Sequence, residues 1–173
     1  TTLTAIAAPI LRINIDTDAI IPSREMKTVS KVGLSGGLFA GWRYLAAGIR
    51  EENPEFILNQ EPYRRAKILL SGMNFGCGSS REHAVWALCD GGFRAAIAPS
   101  FSDIFSSNAL KNGFLPVVLP EDDVKKMLEM LAKNPGTRLT VDLQAQTVIA
   151  PGGTHRFEIA PFPKKCLIEG LDE

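Results

Sequence analysis

The sequence has 173 residues, 45% of them hydrophobic and 22% charged, with 19 Lys and Arg against 19 Asp and Glu. That length and composition exclude wholesale disorder and let one domain bury roughly 70% of its unfolded surface without a disulfide or a metal. A formal net charge of zero excludes a polybasic nucleic-acid or membrane-surface module and removes repulsion as a guard against association, so the chain reads as part of a larger assembly.

Residues 4–13 alternate loosely and predict a first strand. Asn14-Ile15-Asp16-Thr17-Asp18 follows as a polar turn, ended by Ile20-Ile21-Pro22. Gly33, Gly36, Gly37, Gly41 and Gly48 then crowd around Leu38, Phe39, Trp42, Tyr44 and Leu45. A loop up to residue 37 and a short helix or turn carrying the aromatics are expected there, with the aromatics forming a core or interface cluster. Residues 51–65 are polar, contain two prolines and read as a connector.

Residues 66–70 form a short apolar run, a buried strand. A loop with Gly72, Gly76 and Gly78 leads into a helix over 79–90, stopped by Gly91-Gly92. A strand over 94–99, a helix over 101–112 closed by Gly113, and a strand over 115–119 complete a β-α-β-α-β run. Right-handed crossovers make it a small parallel sheet. An amphipathic helix spans 121–134, with Val124, Met127, Leu128 and Leu131 at helical spacing and an acidic start. Residues 138–143, 147–150 and 156–159 read as antiparallel strands. The fold class is α/β: one three-layer domain over 1–173, a small parallel sheet plus antiparallel strands.

The N-terminus lacks a basic region and a long apolar stretch, and no run approaches the roughly 18 apolar residues of a membrane span. The absence of an initiator Met points to a processed or trimmed start. Cys77, Cys89 and Cys166 are scattered, without a Cys-x-x-Cys, which fits a reducing cytoplasm. His83 and His155 are the only histidines, so no metal-ligand set is expected on this chain.

The most informative segment is Asn74-Phe75-Gly76-Cys77-Gly78-Ser79-Ser80-Arg81-Glu82-His83. It lies between a buried strand and a helix, where open α/β sheets bind ligands. Its glycines permit close backbone approach, a helix N-terminus offers free N–H groups, and Arg81 adds a fork for a carboxylate or phosphate. The parts make an anion site. Ser79-Ser80-Arg81-Glu82 also reads as a capping box, with Ser at the N-cap and Glu at N3. The dinucleotide and P-loop patterns are not completed here. Cys77 is a near-site thiol or a buried small residue, and His83 stands one helical turn after Ser79, to tune it or to lie on the helix surface.

Gly33-Leu34-Ser35-Gly36-Gly37 matches the Gly-x-Ser-x-Gly elbow of esterases, but the preceding residues are too polar for a central strand and nothing pairs a histidine with Ser35. Asp16 and Asp18 are read as an Asx-turn exit from the first strand in preference to a metal or acid/base pair.

Residues 74–84 closely resemble the signature of 3-isopropylmalate dehydratase small subunits, which look like the mobile swivel domain of the aconitase superfamily. Asn14-Ile15-Asp16-Thr17-Asp18 with Ile21-Pro22, Leu38-Phe39 with Trp42-Arg43-Tyr44, Ile97-Ala98-Pro99-Ser100-Phe101, Asp103-Ile104-Phe105, Asn112-Gly113 with Leu115-Pro116-Val117, and Gly170-Leu171-Asp172 resemble further family blocks in the right order. The resemblance implies a swivelling β/β/α domain and a hydro-lyase subunit that isomerises 2-isopropylmalate to 3-isopropylmalate, in leucine biosynthesis. It implies no cofactor on this chain and a [4Fe–4S] cluster on a partner large subunit, in a heterodimer or heterotetramer. It makes Ser79 the base, Arg81 a substrate-carboxylate contact and stabiliser of the serine oxyanion, and Ser80 and Arg43 further substrate contacts. Family members commonly carry Arg-Thr where this chain has Lys31-Val32, in a loop that faces the substrate's variable group, so Lys31, Val32, Gly33 and Leu34 join the candidate substrate-binding residues. Gly76, Cys77, Gly78 and His83 form the supporting loop. Relatives usually continue beyond the position of Glu173. A related dehydratase for a methyl-substituted malate or citraconate, and a non-catalytic anion-binding regulatory module, remain as alternatives.

Overall fold

A computed structural model of the chain describes residues 2–26, 34–79 and 81–169. β1 (Thr2–Ile10), β2 (Ile68–Ser71), β3 (Ala95–Ala98) and β4 (Leu115–Val118) pair in parallel. β5 (Arg138–Asp142), β6 (Thr147–Ala150) and β7 (Gly153–Arg156) extend the sheet antiparallel from the other side of β1. The seven strands follow the order β4-β3-β2-β1-β5-β6-β7. Two one-turn helices, α1 (Thr17–Ile20) and α2 (Ala40–Arg43), lie between β1 and β2. α3 (Glu82–Asp90) and α4 (Asp103–Lys111) are the crossovers that make β2, β3 and β4 parallel, and α5 (Glu121–Lys133) leads into the antiparallel half. α6 (Pro161–Glu169) follows the last strand.

Alternation along the strands splits the interior into two cores. Ala8, Ile10, Leu69, Ala96 and Ala98 join a cluster with Ala84 and Leu88 of α3 and Phe105 and Ala109 of α4. Ala5, Ala7, Ile68, Leu70, Ala95 and Ile97 join the other, with Val124, Met127 and Leu131 of α5. Leu139, Val141 and Val148 of the antiparallel half enter that second core, so the sheet curls over α5. Every residue of β2 and β3 is buried, as expected of parallel strands covered on both faces. The acidic first turn of α5, Glu121-Asp122-Asp123, and Lys133 in its last turn complement its dipole.

The α/β class and the parallel run over 66–119 stand as expected, while the first and last strands differ in their bounds. The first strand ends at Ile10, because the Arg12 N–H turns back onto the Ile10 carbonyl at 2.8 Å. The last strand is Gly153–Arg156 rather than 156–159. Ala150 pairs with Gly153 across a two-residue turn, Pro151-Gly152, with Gly152 at φ +93°. The polar Gly-Thr-His-Arg strand has no apolar alternation to announce it. The amphipathic helix expected over 121–134 is present as α5.

Leu69 is fully buried in β2. Leu69→Ala is expected to cost about 2–5 kcal/mol, read as a lower urea midpoint with an unchanged slope.

Candidate functional site

The loop from β2 to α3 is built upon the segment between β1 and α1. The Ile15 carbonyl accepts the Gly76 N–H at 2.7 Å, and the Thr17 N–H donates to the Cys77 carbonyl at 2.8 Å. Asp16 and Cys77 thereby form a parallel bridge. Thr17 Oγ1 donates to the Ser79 carbonyl at 2.9 Å. Thr17 is only 3% exposed, so the clasp is anchored from its buried side. Asp16 Oδ1 accepts the Ala19 N–H at 2.7 Å and caps α1, the turn expected of this aspartate.

Two glycines set the path of the loop. Gly76 has φ +81° and Gly78 φ +92°, a region that side chains disfavour. A Cβ on Gly76 would also strike the Phe105 ring of α4. Ser102, the N-cap of α4, donates its Oγ to the Gly76 carbonyl at 3.0 Å and accepts the Phe105 N–H at 3.2 Å. The loop is therefore fastened to α1 on one side and to α4 on the other. Between them lies a cleft of about 280 Å³, lined by Thr17, Gly78, Ser79, Arg81, Ile104 and Asn108 among others. It opens beyond the carboxyl ends of the parallel strands, the usual ligand position in such sheets.

The start of α3 departs from the expected capping box. The helix begins at Glu82, and its N-cap is Arg81, at φ −126° and ψ 109°, with no side-chain cap bond. Ser79 lies two residues before that cap, exposed, with its carbonyl held by Thr17. Glu82 Oε1 accepts from Asn112 Nδ2 at 3.3 Å and does not reach back as an N3 residue would. Positive φ at Gly78 and extended backbone at Arg81 keep this stretch out of the helix. The Arg81 guanidinium donates to Asp18 Oδ1 at 3.1 Å, with Arg81 23% and Asp18 65% exposed. At that exposure the pair adds about 0–1 kcal/mol, so its effect is to orient the fork.

Several expected site residues lie elsewhere. Leu34 is 2% exposed and packs in the α3–α4 core, which takes its side chain away from a ligand. Arg43 lines a separate cavity of about 220 Å³ with Ser35, Asp90 and Gly91, at the far end of α3. Its Nη1 donates to the Ser35 carbonyl at 2.7 Å, so it braces the backbone there and is not brought to Arg81. Cys77 holds the loop through its carbonyl. The His83 ring lies 4.7 Å from Trp86 and does not line the cleft. Lys31, Val32, Gly33 and Ser80 fall outside the described residues. Ser35 opens a short turn and its N–H donates to Asp90 Oδ2 at 3.0 Å. The sequence does not single out Thr17, Ser102, Ile104 or Asn108 as site residues, and it reads Asp18 only as a turn residue; the partners of Thr17 and Asp18, Ser79 and Arg81, lie 62 and 63 positions away.

The residues present do not fit an iron–sulfur cluster. Among the described residues no three His, Cys, Asp or Glu side chains gather to hold a metal ion. Burial pushes the Cys89 thiol above its ordinary pKa, and its Sγ lies 3.9 Å from the Asn112 carbonyl. No described helix is long and apolar enough to cross a membrane.

The mixed α/β sheet is of the class of the aconitase C-terminal domain, whose family model matches residues 1–122. The LeuD_N family matches residues 126–161. The chain is 52% identical to the 3-isopropylmalate dehydratase small subunit of Azorhizobium caulinodans, covering 100% of this chain and 86% of the relative. It is 57% identical to the subunit of the same name from Cupriavidus necator, over 96% of this chain and 81% of the relative. The crystal structure of 3-isopropylmalate dehydratase from Methanocaldococcus jannaschii matches with a TM-score of 0.74 at 26% identity, covering 99% of this chain and 90% of that one. The chain belongs to the family of 3-isopropylmalate dehydratase small subunits.

Thr17→Val keeps the shape of the clasp and removes its donor. It is expected to cost about 1–3 kcal/mol, measured by thermal or urea unfolding, while Thr17→Ser, which retains the hydroxyl, recovers part of the loss.

Proposed function

We propose that this chain is the small subunit of a 3-isopropylmalate dehydratase, a hydro-lyase of leucine biosynthesis that works only with a large subunit. The reaction removes water from 2-isopropylmalate and adds it back across the neighbouring carbon. The observation that carries the site assignment is the joint placement of Ser79 and Arg81 on one cleft, at the loop fastened by Thr17. Residues 1–173 act as one swivel-like domain, and the two subunits form a heterodimer or heterotetramer in the cytoplasm. Three free thiols are consistent with that compartment.

Among the described residues no ligand set for the superfamily's [4Fe–4S] cluster gathers; the cluster is assigned to the large subunit, where it would supply Lewis-acid chemistry. The chain's own residues bind, orient and move a proton. Ser79 Oγ, as the alkoxide, takes the proton from the carbon beside a substrate carboxylate. A serine hydroxyl is a weak base at neutral pH, and its anion needs positive charge nearby and little water. Arg81 provides that charge. Asp18 engages one terminal nitrogen of the guanidinium, leaving other N–H donors for a carboxylate. Fixing that carboxylate also neutralises the charge that grows on it as the proton leaves.

Ser79→Ala is expected to lower kcat by about 10²–10⁴-fold in the complex reconstituted anaerobically with a large subunit, followed by absorbance of the unsaturated acid. Partner affinity should stay unchanged, since Ser79 holds the loop through its carbonyl. Retained turnover would remove Ser79 as the base. Arg81→Lys keeps the charge but loses the fork, and should raise KM by about 10–100-fold, the equivalent of about 1.5–3 kcal/mol for hydrogen bonds to a charged group.

A further inference from the structure

We infer that Ile104 is the residue of this chain's described cleft that selects the substrate's alkyl substituent. The inference rests on the reading of the cleft as the substrate site and adds to it the choice between substituted malates.

Ile104 is in the first turn of α4, where Phe105 beside it is buried to 2% exposure. Ile104 itself is 52% exposed, and it lines the same cleft as Ser79 and Arg81. The other described lining side chains are hydroxyls, an amide, an arginine and an aspartate, apart from two glycines and the buried Phe105. Among the described lining residues, Ile104 alone offers a large apolar side chain that a ligand can still cover.

A substituted malate sorts itself against such a wall. Its two carboxylates and hydroxyl require charged or hydrogen-bonding partners, which the Arg81 side of the cleft supplies. Its alkyl group gains only by leaving water for apolar surface. With Arg81 holding a carboxylate, the α4 side remains for the branch. Asn108, four residues on, shares that face of α4 and lines the same cleft, so the apolar stretch is short and ends in an amide. It suits a compact branched group better than a long chain. Discrimination by one methylene in an apolar pocket reaches about 10–200-fold, which sets the size of the expected effect.

The test uses the reconstituted two-subunit enzyme and the ratio of kcat/KM for 2-isopropylmalate to that for 2-methylmalate. Ile104→Ala should lower the ratio about tenfold or more, with Ile104→Val moving it less in the same direction, while titration of the large subunit gives the same affinity as wild type. Far-UV circular dichroism checks that both variants are folded, as expected for an exposed position. An unchanged ratio in an active enzyme overturns the inference alone. That holds whether both substrates slow equally or the affinity for the large subunit falls, the result expected of an intersubunit contact. A wild-type complex inactive on every substituted malate overturns the functional reading as well.

Discussion

The site depends on one long-range backbone pairing. Residues 15–17 run beside residues 76–79, and the partners in its side-chain clasp, Thr17 and Ser79, stand 62 positions apart in sequence. The pairing is available because β1 and β2 lie in register to their ends, with Ile10 opposite Ser71. Both chains leave the sheet level with each other and meet again a few residues later. A neutral chain with a closely packed parallel sheet thus extends its ladder into a loop, and the loop inherits the sheet's position. A slip of one residue between β1 and β2 would turn every side chain of a strand to the wrong core and carry Ser79 away from Thr17.

The second constraint is steric. Gly76 leaves no space for a Cβ because Phe105 occupies it, and Phe105 packs edge-on against Phe75, the residue before that glycine. Phe101 completes the group, against Phe75 and stacked on Phe105. These rings join the loop to the start of α4, so the two walls of the cleft form one packed unit. The face bearing Ile104 and Asn108 keeps its place relative to Arg81 for the same reason that Gly76 must be a glycine.

What the sequence shows of this arrangement follows from how local each cause is. β2 and β3 are visible as unbroken apolar runs, because they are buried on both faces, and α5 because one side of it is polar. Gly76, Gly78 and Arg81 are visible because a glycine loop before a helix has few other purposes. The helix start at Glu82 is hidden by Ser79-Ser80-Arg81-Glu82, which has the letters of a capping box. The box does not form, because the Ser79 carbonyl is engaged by Thr17 and the backbone at Gly78 is left-handed. Asp18 looks like a turn residue, and its bond to Arg81 crosses 63 positions. Leu34 and Arg43 stand in or beside the family's blocks, yet their places were decided by packing at the far end of α3, a matter that spacing along the chain does not report.

The open cleft explains why the proposed chemistry needs a second subunit. Ser79 is exposed in this chain, and water would hold its hydroxyl near an ordinary alcohol's acidity. The attraction between an alkoxide and the Arg81 guanidinium is screened strongly at high dielectric and rises severalfold as the surroundings become dry. Asp18, bonded to the same guanidinium and largely exposed, offsets part of that charge. A partner surface that closes the cleft would therefore do two things at once. It would strengthen the pairing of Arg81 with a substrate carboxylate and disfavour free ionisation of Ser79 except in the presence of that charge. On the proposed reading the isolated chain would hold a dicarboxylate weakly and deprotonate nothing, because its site is assembled but wet, and conversion would wait until both subunits and the substrate are in place.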